Sequence, residues 1–204
     1  MRIVLASANP DKLRELRSIL SELGLEVVPV SDVAPGWHVE ETGATLEENA
    51  LLKARAAASA TGLPAVADDT GLCVRALGGG PGVYSSRFAG ESATYSQNVC
   101  KLLSRLIGET PEMRRACFRT AAAIALPDGT SETVSGRAEG RITEAPMGKG
   151  GFGYDPVFLS DDLGRTYAEA TPEQKDLVSH RGRAFRNLLP LIRRLVLHDE
   201  EQGS

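Results

Sequence analysis

Three carboxylates sit where polar, glycine-containing segments would hold them still: Asp68 and Asp69 before Thr70 and Gly71, and Glu41 before Thr42 and Gly43. Such a set can offer oxygen ligands to magnesium, which needs only one or two carboxylates and fills its shell with water and substrate phosphates. Adjacent acids repel, so a bound metal would help keep both ionised. Read alone, the same segment makes Asp68 a turn residue and Asp69 a cap. The basic residues are dispersed. Asn9 and Lys12 lie in the turn SANPDK, where a helix start favours an anion, Lys53 lies in an alanine-rich stretch, and Lys175, His180 and Arg181 lie in a late polar segment read as a loop. Each alone is an ordinary surface charge, but together they can surround a polyphosphate.

A second chemical signal is GKGGFGYDPVF, from Gly148 to Phe158. Its glycines suggest a loop that bends sharply or lets a ligand approach the backbone. The G-x-G-x-x-G match at Gly148, Gly150 and Gly153 lacks the helix that a dinucleotide fingerprint needs directly after it. The pair Gly148 and Lys149 fails the P-loop pattern, because Gly150 stands where Ser or Thr must bind magnesium. No HExxH, EF-hand or nucleophile-elbow motif is present. Phe152, Tyr154 and Asp155 are therefore expected at the mouth of a sheet, ahead of a short buried strand of Val157, Phe158 and Leu159.

These residues need elements to position them. Arg2 to Ser7 reads as a strand, Leu13, Leu16, Ile19, Leu20 and Leu23 recur with helical period, and Leu25 to Val30 reads as a second strand. This β-α-β opening favours an α/β fold. A helix follows from Thr45, with Glu48 as capping-box partner and Gly62 as stop, and it puts Asn49 and Lys53 on one face. Ala65 to Ala67 is expected as a short strand ending at Asp68 and Asp69, and Leu72 to Leu77 as another strand before a glycine-rich loop at 78–82. A helix begins at Thr94. Segments 115–126 and 130–143 are expected as a hairpin turned by Asp128 and Gly129. A polar stretch to Arg183 precedes a last helix, which Pro190 should kink or delay, and the residues from His198 on are expected to fray. The implied architecture is an elongated mixed β-sheet flanked by helices, in two lobes with a central cleft. It forms one domain over 1–204, with the hairpin in a lobe around 115–145.

Composition narrows the class. The 204 residues, 42% hydrophobic, can bury a core, and a net charge of -4 gives no reason to expect a nucleic-acid partner. Three cysteines without CxxC spacing indicate neither a disulfide framework nor a zinc site. The apolar run Ile3 to Ala6 is too short for a signal core or a membrane span. The expectation is a cytoplasmic protein without a membrane partner.

The motifs, taken in order, resemble the RdgB/HAM1 family of inosine and xanthosine triphosphate pyrophosphatases: SANPDK at 7–12, ETGATLEENALLKA at 41–54, ADDTGL at 67–72, SSRFAG at 85–90, GFGYDPVF at 151–158 and EQKDLVSHRGRA at 173–184. The resemblance covers almost the whole chain. It implies an α/β homodimer that uses magnesium to cleave non-canonical purine nucleoside triphosphates (ITP, dITP, XTP) into monophosphate and pyrophosphate. It implies that Ser7, Ala8, Asn9, Pro10, Asp11 and Lys12 hold substrate, with Lys12 on the phosphates. Asp69 would be the catalytic acid, as proton acceptor or metal centre, and Glu41 a second acidic ligand, with Asp68 a further candidate. Phe152, Gly153, Tyr154, Asp155, Lys175, His180 and Arg181 would be the remaining substrate contacts, and Thr70 keeps a hydroxyl where the family often has serine. Ser7 and Ala8 depart from the family's usual Thr and Gly, which touches loop geometry only.

On this reading water attacks the α-phosphorus with Asp69 orienting or deprotonating it, and Lys12, Lys53 and Lys175 serve the triphosphate. The loop GGFGYDP shapes the base and sugar pocket, where Phe152 or Tyr154 can stack. Donors from His180, Arg181 or loop N–H groups would favour a 6-keto purine over adenine. Two other readings stand beside it: a catalytically silent nucleotide-binding module, and a pyrophosphohydrolase with another base preference.

Overall fold

The computed structural model describes residues 1–20 and 23–197, and the expectation for His198 onward falls outside them. Among the described residues a mixed sheet has the strand order β2-β1-β3-β5-β6-β7, with β4 pairing β3. The strands are β1 (Arg2–Leu5), β2 (Glu26–Pro29), β3 (Ala65–Val74), β4 (Pro81–Gly82), β5 (Arg115–Ala125), β6 (Ser131–Ile142) and β7 (Phe158–Ser160). The helices are α1 (Pro10–Leu20), α2 (Val30–Val33), α3 (Leu46–Thr61), α4 (Tyr95–Arg105), α5 (Pro172–Val178) and α6 (His180–Ile192). The expected α/β class, a mixed sheet flanked by helices, is what the chain adopts.

The chain divides into two compact units, one of residues 1–69, 120–136 and 181–204, the other of 70–119 and 137–180. In the first, β1 runs parallel to both β2 and β3. Ile3, Leu5 and Val66 pack with Leu16 and Leu20 of α1 and Phe185, Leu188 and Ile192 of α6. In the second, Leu72, Val74, Phe118, Ala138 and Ile142 form a core with Leu102 of α4, Val157, Phe158 and Tyr167.

Local chemistry explains the element ends. Asn9 caps α1, its Oδ1 accepting the Asp11 N–H at 2.9 Å, with Pro10 at the first helical position. Thr45 and Glu48 form the expected capping box on α3, which ends at Gly62. The hairpin turns at Asp128 and Gly129, where Leu126 N–H donates to the Thr130 carbonyl at 2.8 Å.

Several expectations are corrected. The acidic pair does not end a strand: β3 is continuous from Ala65 to Val74, so Asp68 and Asp69 are neither turn nor cap. Gly71 allows this continuity, because a Cβ there would come within 2.8 Å of the Gly82 carbonyl oxygen on the paired strand. The second expected strand stops at Val74, and Arg75–Leu77 form a 3-10 turn. A short helix, α2, occupies part of the expected loop before Gly43. Lys175, His180 and Arg181 are helical rather than in a loop. Thr171 and Gln174 close a capping box, Pro172 starts α5, and α6 begins at His180. Pro190 does not delay α6 but sits inside it, and a π-helical turn follows over Arg193–Leu197.

Candidate functional site

Successive side chains of a strand point to opposite faces, so continuity through β3 sends Asp68 and Asp69 to different neighbours. Asp68 is fully buried among cations, with Oδ1 3.0 Å from Lys12 Nζ and Oδ2 3.1 Å from Arg181 Nε. Arg181 also donates from Nη1 to Glu15 Oε2 at 2.8 Å, so a four-charge cluster joins α1, β3 and α6, with Glu15, Asp68 and Arg181 buried and Lys12 partly exposed. Burial alone would raise the Asp68 pKa, but Lys12, Arg181 and Lys53 outweigh it and hold the carboxyl well below the usual range. Lys12 is pushed down, by burial first and then by Lys53 and Arg181, despite the attraction of Asp68. A lysine crowded by two other cations is a place where an added anion is favourable.

Asp69 meets α3 instead. Its Oδ1 lies 3.5 Å from Lys53 Nζ and its Oδ2 accepts from Asn49 Nδ2 at 3.2 Å. Lys53 donates to Glu41 Oε1 at 2.7 Å, so the two carboxylates share one ammonium. Asn49 uses both ends of its amide, its Oδ1 accepting the Gly43 N–H at 2.8 Å and so tying the Glu41 loop to α3. Burial and the nearby Glu41 raise the Asp69 pKa against the opposing pull of Lys53. Burial would push the Lys53 ammonium down, but Asp69, Asp68 and Glu41 overcome it and raise its pKa.

The opening turn lies in the same unit. Ser7 Oγ accepts the Asn9 N–H at 3.2 Å, and Ala8 and Pro10 are exposed. Asp11 is spent on a surface pair with Arg14 at 2.9 Å. Among the described residues no three His, Cys, Asp or Glu side chains converge as a metal cage. Magnesium does not require one. Two carboxylates around a shared cation, one of them with a raised pKa, are a donor set that a divalent ion completed by water and phosphate would fit.

The second unit gathers the ring-bearing residues. Lys175 Nζ lies 2.7 Å from Asp155 Oδ2, both side chains nearly fully buried, and the same oxygen accepts the Phe152 N–H at 2.9 Å. The ammonium sits 4.6 Å from the Phe152 ring centroid. Gly148 has φ of 82°, and a Cβ there would lie 2.5 Å from the Ala168 backbone, so the loop closes down only without a side chain. Gly153 also has a positive φ. Tyr154 is buried and donates to the Ser85 carbonyl at 2.8 Å, which makes it a strut. His180 is buried and stacks on Phe118, centroids 4.3 Å apart. Thr70 follows Asp69 along β3, half-buried.

Glu15, Asn49, Ser85, Phe118 and Tyr167 were not named as site residues from sequence. Asn49, one turn before Lys53, and Ser85, the first residue of SSRFAG, carried usable signals. The others are brought in by packing between distant segments.

The chain is thus an α/β protein whose buried carboxylates are each paired with lysine or arginine. The sequence profile of the Ham1 family matches residues 3–191, and the chain belongs to that family. It is 49% identical over 197 residues to a dITP/XTP pyrophosphatase of Streptomyces coelicolor, covering 96% of this chain and 98% of that protein. It is 50% identical over 189 residues to one of Thermus thermophilus, covering 93% and 90%. A solved HAM1 protein from Coxiella burnetii superposes with a TM-score of 0.85 at 41% identity, over 95% of this chain and 99% of that one.

Proposed function

We propose that this chain hydrolyses non-canonical purine nucleoside triphosphates, dITP, ITP and XTP among them, to the nucleoside monophosphate and pyrophosphate, with magnesium as cofactor. The observation that carries this reading is the Glu41–Lys53–Asp69 cluster, in a chain whose relatives carry the name dITP/XTP pyrophosphatase. Magnesium, held by Glu41 and Asp69, would neutralise charge on the triphosphate. Lys12 and Lys53 supply fixed positive charge to the phosphates, and the Ser7 to Lys12 turn lies at the positive end of the α1 dipole. Asp69 accepts the proton of the attacking water as its oxygen bonds to the α-phosphorus and pyrophosphate departs.

The nucleoside end falls to Phe152, Gly153, Tyr154 and Asp155 with Lys175 and His180. A 6-keto purine accepts hydrogen bonds where adenine donates them, so cationic and N–H donors discriminate by leaving the wrong base unpaired. The working form in this reading is a cytoplasmic homodimer, and a reducing compartment suits Cys73, Cys100 and Cys117, all free thiols. No helix among the described residues is long and apolar enough to cross a membrane.

The test is product identification after incubation with magnesium and dITP, ITP, XTP, GTP, ATP or modified pyrimidine triphosphates. Monophosphate and pyrophosphate from dITP, ITP or XTP are expected. Orthophosphate as the first product would overturn α-phosphorus attack, and preferential turnover of a pyrimidine triphosphate would overturn the base assignment.

A further inference from the structure

Phe152 is half-buried at the end of the exposed glycine-rich segment 144–151, yet its surroundings constrain it. Its N–H is held by Asp155 and its ring lies against the Lys175 ammonium. A third neighbour is the ring of Tyr95, its centroid 6.0 Å away and tilted by 41°. Tyr95 is 50% exposed and contributes to neither hydrophobic core.

Its mount is nonetheless rigid. Tyr95 is the first residue of α4, directly after Thr94, whose Oγ1 accepts the Gln97 N–H at 3.2 Å while Gln97 Oε1 accepts the Thr94 N–H at 2.7 Å. One turn on, the buried Asn98 takes the Ala89 N–H at 2.7 Å and donates to the Ser86 carbonyl at 2.8 Å, locking the helix start to the segment before it. A tyrosine on a fixed helix end gives a large flat contact with few torsions to freeze.

Resting on the function proposed above, we infer that Tyr95 is a further substrate-binding residue, forming with Phe152 a two-ring wall for the purine base. A purine laid on the single ring of Phe152 overhangs it, because two fused rings are wider than one. Tyr95 is the aromatic neighbour placed to meet that overhang. Its ring is half exposed beside that of Phe152, within reach of a ligand laid on either.

The test compares wild type with Tyr95→Ala and Tyr95→Phe by steady-state kinetics on dITP, calorimetric Kd for dIMP, and thermal unfolding. Loss of one base–aromatic contact is expected to raise KM and Kd about tenfold in Tyr95→Ala, with kcat and Tm near wild type, while Tyr95→Phe restores both. A Tyr95→Ala protein with unchanged KM and Kd, or one that loses kcat at unchanged Kd, overturns the inference. If wild type binds dIMP without hydrolysing dITP, the hydrolase reading fails and the Kd comparison still decides Tyr95. If wild type neither hydrolyses dITP nor binds dIMP, both fall.

Discussion

Asp68 and Asp69 are chemically identical neighbours, and the structure predicts opposite results for the same substitution at each. Asp68→Asn removes the charge that holds Lys12 at 3.0 Å and Arg181 at 3.1 Å, leaving the buried Arg181 with Glu15 alone and in repulsion with Lys12. Breaking a buried pair costs about 3–5 kcal/mol, and in a chain of this size each kcal/mol moves Tm by about 2–4 °C, so a fall of roughly 10 °C is expected. Because the folded carboxyl titrates below the ordinary range, its stabilisation is present above the unfolded pKa, near pH 4, and is lost as pH falls through the folded value. The gap between wild type and Asp68→Asn should therefore narrow in acid. Asp69 has the reverse linkage. Its raised pKa makes ionisation unfavourable in the folded state, a penalty absent in acid that grows as pH rises from the unfolded to the folded pKa. Asp69→Asn should be at least as stable as wild type at neutral pH, while losing on the order of a hundredfold or more in turnover. Urea and thermal unfolding between pH 3 and pH 8, with dITP turnover and magnesium titration at neutral pH, measure all of this. A stable Asp68→Asn protein with weakened magnesium affinity would refute the reasoning and make Asp68 a metal ligand.

Lys53→Met removes the ammonium shared by Glu41 and Asp69; turnover should fall about a hundredfold, and the acid limb of the pH–rate profile should move to higher pH because Asp69 loses its opposing charge. Asp155→Ala strands the buried Lys175 and frees the Phe152 N–H, which should destabilise the protein by about 3 kcal/mol and raise KM for dITP, read by urea unfolding and kinetics. Thr45→Ala removes one half of the α3 capping box and should cost about 1 kcal/mol in urea unfolding with KM unchanged.

Local pattern was enough to read the helix over 46–61 with its cap and stop, the hairpin at Asp128 and Gly129, and the β-α-β opening, because capping, turn chemistry and apolar period act within a few residues. It also singled out the acids and lysines as candidates, by their grouping and by the order of the motifs that hold them. What the chain alone did not reveal was the path of β3. The polar pair Asp68 and Asp69 looks like a strand end until the buried neighbours on both faces are present to satisfy it. Glu15, 166 positions from Arg181 in sequence, could not be assigned for the same reason. Residue types and their order determined which chemistry this protein carries. Tertiary structure alone decided that one aspartate anchors a buried ion cluster and the other faces Lys53 and Glu41, because strand alternation gives no side chain a partner until distant segments pack against both faces.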